Sequence, residues 1–180
     1  MVGGITSIGQ SLLPYLLAPA ANSAGTWVLS AFALCLVNRM PARGLVLGAL
    51  ALFAMVIGYA LVSELRGFTA GARLVLFWGA ASVVVGPFVG TSAAWVRGAN
   101  GMRPAIGAGI IGGVLIGEAV YGLTLIAETT PAGYWAAELV AGLVVVVAGG
   151  RRSFLAALAV AAAAAAAVNL AYRINPLSFL

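Results

Sequence analysis

Apolar residues run along this chain in long blocks broken by short polar punctuation. The blocks fall at Ala24–Asn38, Ala42–Leu65, Arg73–Val96, Pro104–Ala127, Ala132–Ala148 and Ser153–Tyr172. A run of about 20 apolar residues crosses the hydrocarbon core of a bilayer as a helix, so the pattern predicts six spans. The first and fifth are short, which implies tilt, local thinning or ends that extend further. Ahead of them Gly3–Ala20 is a weaker apolar segment interrupted by Gln10 and Pro14. Its "SLLPYLLAPA" has the look of a leader's apolar region ending at Ala18-Pro19-Ala20, yet no Arg or Lys precedes it. A retained helix or a re-entrant piece is therefore favoured over a cleaved leader. The predicted fold is all-α: a polytopic transmembrane helix bundle of six spans plus a short N-terminal hydrophobic segment, forming one integral membrane domain over residues 1–180.

Small residues mark where helices should touch. Gly109, Gly113 and Gly117 repeat along one face of the fourth span, with Tyr121 continuing it, and Gly86 and Gly90 bracket Pro87 in the third. Such faces permit close helix approach where lipid supplies no hydrophobic drive between helices. Leu115 lies off the glycine face and is expected to meet lipid. The alanine-rich "AVAAAAAAAVNLAY" reads as one closely packed helix.

Composition supports the same environment and narrows the chemistry. The chain is 63% hydrophobic and only 7% charged, against about 25% charged in a soluble domain. It belongs in a membrane, and the expected location is the cytoplasmic membrane. All nine cations are Arg, all four anions are Glu, and there is no His, Asp or Lys. That inventory removes Ser-His-Asp triads, HExxH zinc sites, the Walker lysine and Schiff-base lysines. No enzyme activity, metal or cofactor is expected. Cys35 has no second cysteine to pair with and reads as a small buried hydrophobe.

The net charge of +5 reflects membrane orientation and not nucleic-acid binding, because the arginines sit in short loops. Arg39 with Arg43, Arg97 with Arg103, and Arg151 with Arg152 mark alternate loops, which the positive-inside rule places in the cytoplasm. The intervening loops carry Glu64 with Arg66 and Arg73, and then Glu128. The C-terminus is then outside, where Arg173 is a mild misfit. None of the loops exceeds about ten residues, so no soluble domain is inserted between spans. ATP coupling would need a partner subunit.

Four stretches carry a resemblance: "ANSAGTW" at Ala21–Trp27, "FWGAASVVVGPFVGTSAAWVRG" from Phe77, "GEAVYG" at Gly117–Gly122 and "YWAAEL" from Tyr134. In this order and spacing they resemble a family of small multipass membrane proteins, common in high-GC bacteria and classed as a domain of unknown function. The resemblance covers about Gln10 to Arg152. It implies a topology and no activity.

The residues that could carry chemistry are the carboxylates inside spans. Glu118 sits in the middle of "IGGVLIGEAVYGLTL", and Glu138 follows the turn at Pro131 on the next span. On the arginine-based orientation both lie in the outer half. An ionisable group in a spanning helix costs about 2.5–3.5 kcal/mol to insert, so it faces the bundle interior or a cavity. One reading is an outward-facing acidic and aromatic pocket that binds a ligand through Glu118, Glu138 and Arg73. Trp27, Tyr59, Trp78 and Tyr121 would form its walls, joined by Trp135, and Asn22 its rim. The other is structural: Glu118 paired with Arg73, or protonated against a backbone carbonyl. The pocket implies small-solute transport or membrane-embedded solute capture, with a small-molecule ligand and a membrane or ATPase partner subunit. The alternative is a non-catalytic accessory or assembly subunit of a membrane complex. In either case the bilayer is the principal partner.

The alternating arginines generate a topology test. Reporters fused after Arg43, Gly101 and Arg152 should report cytoplasm, and fusions after Gly67 and Thr130 the outside. A cytoplasmic signal at Thr130 would invert the orientation and move both carboxylates to the inner half.

Overall fold

The computed structural model describes residues 2–98, 101–151 and 153–174, and among these every regular element is helical. The helices are α1 (Val2–Leu12), α2 (Ala24–Cys35), α3 (Pro41–Leu65), α4 (Ala72–Gly98), α5 (Arg103–Leu125), α6 (Ala132–Gly149) and α7 (Phe154–Arg173), with a 3-10 turn at Tyr15–Ala21 between the first two. Five of them, α3 to α7, are long and apolar enough to cross a membrane. The chain is a polytopic transmembrane bundle. The last five expected spans match α3 to α7 with ends shifted by a residue or two.

The first expected span, Ala24–Asn38, is different. It is a helix of 12 residues, about 18 Å at 1.5 Å per residue, which is too short to cross on its own. Its start is fixed by Ser23, whose side chain caps the helix, and it ends at Cys35 with Leu36 closing the last turn. The segment before it folds as α1 and then doubles back. Gly3 packs on the backbone of Met55, Gly4 lies against Val62, and Ser7 shares a hydrogen bond of 2.9 Å with Ser63. Residue numbers rise together, so α1 runs parallel to the second half of α3. Arg66 donates to the Ser7 carbonyl and to the Ser11 hydroxyl beyond it. The 3-10 turn reverses the chain, and α2 descends to the arginine-rich end, where Arg97 donates to the Leu36 carbonyl at 2.9 Å.

Glycine decides how closely the long helices meet. Between the antiparallel α3 and α4, a Cβ on Gly44 would stand 2.5 Å from the Gly90 carbonyl, and one on Gly48 would overlap that of Gly86. The face expected from the sequence on α5 packs on α7. Cβ atoms on Gly109, Gly113 and Gly117 would stand 2.6, 2.5 and 2.6 Å from the carbonyls of Ala157, Ala161 and Ala165. The two helices are parallel, and the alanine-rich run supplies the matching small residues every fourth position. A second face of α5 meets α6, where Gly112 and Gly142 each lie against the other's carbonyl.

With glycine on two faces, α5 becomes the central helix. Its apolar window is 67% buried, against 11–33% for the other four long helices. Leu115 is accordingly not lipid-facing: it is 1% exposed, in the space left by Gly25. The lipid-facing surface comes from residues such as Leu76, Val84, Val140 and Leu155.

Close packing makes a size prediction. Gly113→Leu should lower stability by about 1–3 kcal/mol, because the Ala161 backbone leaves no room for an isobutyl group. Leu155→Ala, at a site 80% exposed, should stay within about 0.5 kcal/mol. Thermal unfolding in detergent compares them. Equal losses would mean that the α5–α7 contact does not form.

Candidate functional site

The two buried carboxylates meet the start of α2. Glu118 lies about 10 Å from the C-terminal end of α5 at 1.5 Å per residue, and Glu138 lies one and a half turns into α6. They are 2% and 7% exposed. A helix that starts inside a bundle leaves its first backbone N–H groups without intrahelical partners, and in an apolar medium such groups must find others. Glu118 supplies them. Its Oε1 accepts from the Ala24 N–H at 2.8 Å, and its Oε2 accepts from the Gly25 N–H. The Ser23 hydroxyl accepts from Thr26 N–H at 3.1 Å, and the Trp27 N–H makes the first helical bond, to the Ser23 carbonyl, at 3.2 Å. Every donor of that first turn is satisfied, and the carboxylate sits at the positive end of the helix dipole.

Two further hydroxyls complete the shell. Ser23 Oγ donates to Glu118 Oε2 at 2.9 Å, and Tyr172 donates to Oε1. Tyr172 is near the end of α7, above the level of Glu118. Helix side chains lean toward the N-terminus, so its ring reaches down. Tyr121 stacks on that ring with centroids 4.4 Å apart, and Trp78 meets it from α4 at 6.1 Å.

Glu138 is differently placed. Its Oε1 lies 3.3 Å from Ser23 Oγ, and its Oε2 is buried with no hydrogen-bond partner. Gly25 makes this approach possible: a Cβ there would overlap Glu138 Oε1 and stand 2.8 Å from Leu115. One turn earlier on α6, the Tyr134 hydroxyl is 3.0 Å from Thr26 Oγ1 and ties α6 to α2.

Of the eight expected ligand-binding residues, the structure gathers seven around the start of α2. Glu118 and Glu138 share Ser23, while Tyr121 and Trp78 bracket Tyr172. On the other side Asn22 accepts from Gln10, which also donates to Tyr59 at 2.9 Å, and Trp27 lies 5.8 Å from the Tyr59 ring. Arg73 is the exception. It is exposed in the first turn of α4, and the donors to Glu118 are two backbone amides and two hydroxyls. The Glu118–Arg73 ion pair of the structural reading does not form, because donors from the start of α2 and from α7 already fill the carboxylate's acceptor sites. Trp135 is a packing residue: it covers Gly122 and donates to Thr130 at 2.8 Å.

Sequence reading missed Ser23, Gly25, Gln10, Tyr134 and Tyr172. Ser23 was readable, since serine directly before a helix is a cap signal. Tyr172 was not, because nothing in its local sequence records that α7 runs parallel to α5. The centre of the cluster, Ser23, Gly25, Glu118 and Glu138, is buried, whereas Asn22 and Gln10 at its edge are exposed. Surface grooves lie elsewhere, one along α6 at Leu143, Val147 and Arg151, and one of about 650 Å³ beside Gly117, Ala165 and Arg173.

The model of a family of unknown function, DUF6518, matches residues 1–177, and the chain belongs to that family. No curated protein and no solved structure matches it.

The hydrogen-bond inventory predicts the cost of changing Glu118. Only a carboxylate accepts from four donors at once, and Glu118→Gln would turn an NH2 toward some of them. Stability should fall by about 1.5–3 kcal/mol, the range for bonds to a charged group. Ser23→Ala should cost about 1 kcal/mol. Thermal unfolding in detergent measures both, and an unchanged Glu118→Gln midpoint would refute the cap.

Proposed function

We propose, for this member of DUF6518, that the bundle handles a small solute at its outer half, as a transporter or as a membrane-embedded capture subunit. The observation that carries this reading is the start of α2 inside the bundle, against two buried carboxylates. Transporters place their sites where discontinuous helices expose half-helix termini. Here that terminus is closed by the buried Glu118 within a polar and aromatic cluster. Solute entry then requires the α1–α2 hairpin to move against α5 and α6. The hairpin is suited to this, being two short helices joined to the bundle partly by polar contacts such as Ser7–Ser63 and Gln10–Tyr59. The negative cluster favours cationic or neutral solutes over anions.

The competing reading is an accessory or assembly subunit, for which the hairpin would be a fixed strut. The test is a thermal-shift screen of the protein in lipid nanodiscs against amino acids, polyamines, nucleobases and vitamins. A ligand at a hundred times its Kd stabilises by about 2.7 kcal/mol, a rise of roughly 5–10 °C for a chain of this length. We expect at least one such compound, its effect abolished in Glu138→Gln. A flat screen, with stoichiometric copurification of an unrelated membrane complex, would favour the accessory role.

A further inference from the structure

We propose that the cluster is a proton-binding site in which Glu138 carries an exchangeable proton and Glu118 is a fixed anion. The argument is a count of hydrogens. Glu118 takes four donors, the amides of Ala24 and Gly25 and the hydroxyls of Ser23 and Tyr172, and the other group facing it is the Glu138 carboxyl. Four donors match the acceptor sites of an ionised carboxylate, which a protonated acid would offer only in part.

Ser23 has one hydroxyl hydrogen, and two carboxylates lie within reach of it, at 2.9 and 3.3 Å. It cannot serve both. With the hydrogen on the shorter bond to Glu118, Ser23 Oγ is left as an acceptor, of Thr26 N–H and of one more donor. Glu138 Oε1 becomes that donor only if it bears a proton. The remaining oxygen, Oε2, is then the carbonyl of a neutral acid. A neutral carbonyl tolerates burial without a partner far better than a carboxylate oxygen does.

The surroundings agree. Glu138 is more than nine-tenths buried, and the titratable groups facing it are Glu118 from α5, Tyr134 on its own helix and Tyr172 from α7. No arginine among the described residues donates to either carboxylate. Two like charges around one hydroxyl, without a cation, are mutually destabilising. Release of the proton from Glu138 to water leaves two anions at the start of α2, and their repulsion acts between α6 and the α2–α5 pair. The site thereby links proton occupancy to the contact that holds the hairpin. This adds a coupling ion to the solute reading, but proton binding itself does not depend on there being a solute.

Infrared difference spectroscopy of the purified protein in lipid at neutral pH tests it with no solute present. With four glutamates and no aspartate in the chain, the carboxylic-acid region is uncrowded. We expect one protonated-acid carbonyl band, shifted by D2O, that disappears in Glu138→Gln. Because glutamine mimics a neutral acid, Glu138→Gln should unfold within about 2 °C of wild type, unlike Glu118→Gln. Three results would overturn the proposal: no protonated-acid band in wild type, a band that survives in Glu138→Gln, or a loss of stability in Glu138→Gln as large as in Glu118→Gln.

Discussion

The bond between Glu118 and the first amides of α2 is the constraint on which the rest of the structure depends. Backbone N–H groups in an apolar medium must be paired, and a helix that begins there brings its own unpaired set. A carboxylate on a neighbouring helix answers that need with two acceptor oxygens and a charge of the right sign for the dipole. The glutamate and the short helix explain one another. Without Glu118, α2 would have to begin elsewhere; without α2, Glu118 would be a charge among apolar side chains.

That bond can form only because α5 lies at the centre, and glycine puts it there. Gly109, Gly113 and Gly117 admit α7 on one face while Gly112 admits α6 on another. Close approach to α7 brings the Tyr172 hydroxyl within reach of Glu118, and the approach of α6 brings Glu138 to the same serine. Gly25 on α2 removes the last obstruction, leaving space for Leu115 and both carboxylates. Packing by small residues, usually read as a matter of stability, here sets the polar geometry.

The two carboxylates therefore have unequal roles despite their common depth. Glu118 has four donors, and its place is fixed by the fold. Glu138 has a share in one hydroxyl and an oxygen with no partner. A group satisfied on all sides is suited to holding structure, whereas one left partly unsatisfied is suited to changing state. If the bundle moves a solute, Glu138 and the hairpin that Ser23 joins to it are the parts of the cluster with freedom to respond.

The sequence by itself determined the medium, the helical class and five of the spans, because these follow from local quantities: the length of apolar runs, the position of arginines and the spacing of glycines. It also marked Glu118 and Glu138, since a carboxylate inside an apolar run is conspicuous wherever it points. The tertiary structure decided what those carboxylates touch. Arg73, Tyr172 and Ser23 are each far from Glu118 in the chain, and only helix order and direction excluded the arginine and admitted the two hydroxyls. The same holds for Ala24–Asn38, which is apolar enough to read as a span. Its start at Ala24 was legible, but the pairing of its first amides with Glu118 on α5 was not, because a hydrogen bond between distant segments leaves no periodic trace in the sequence.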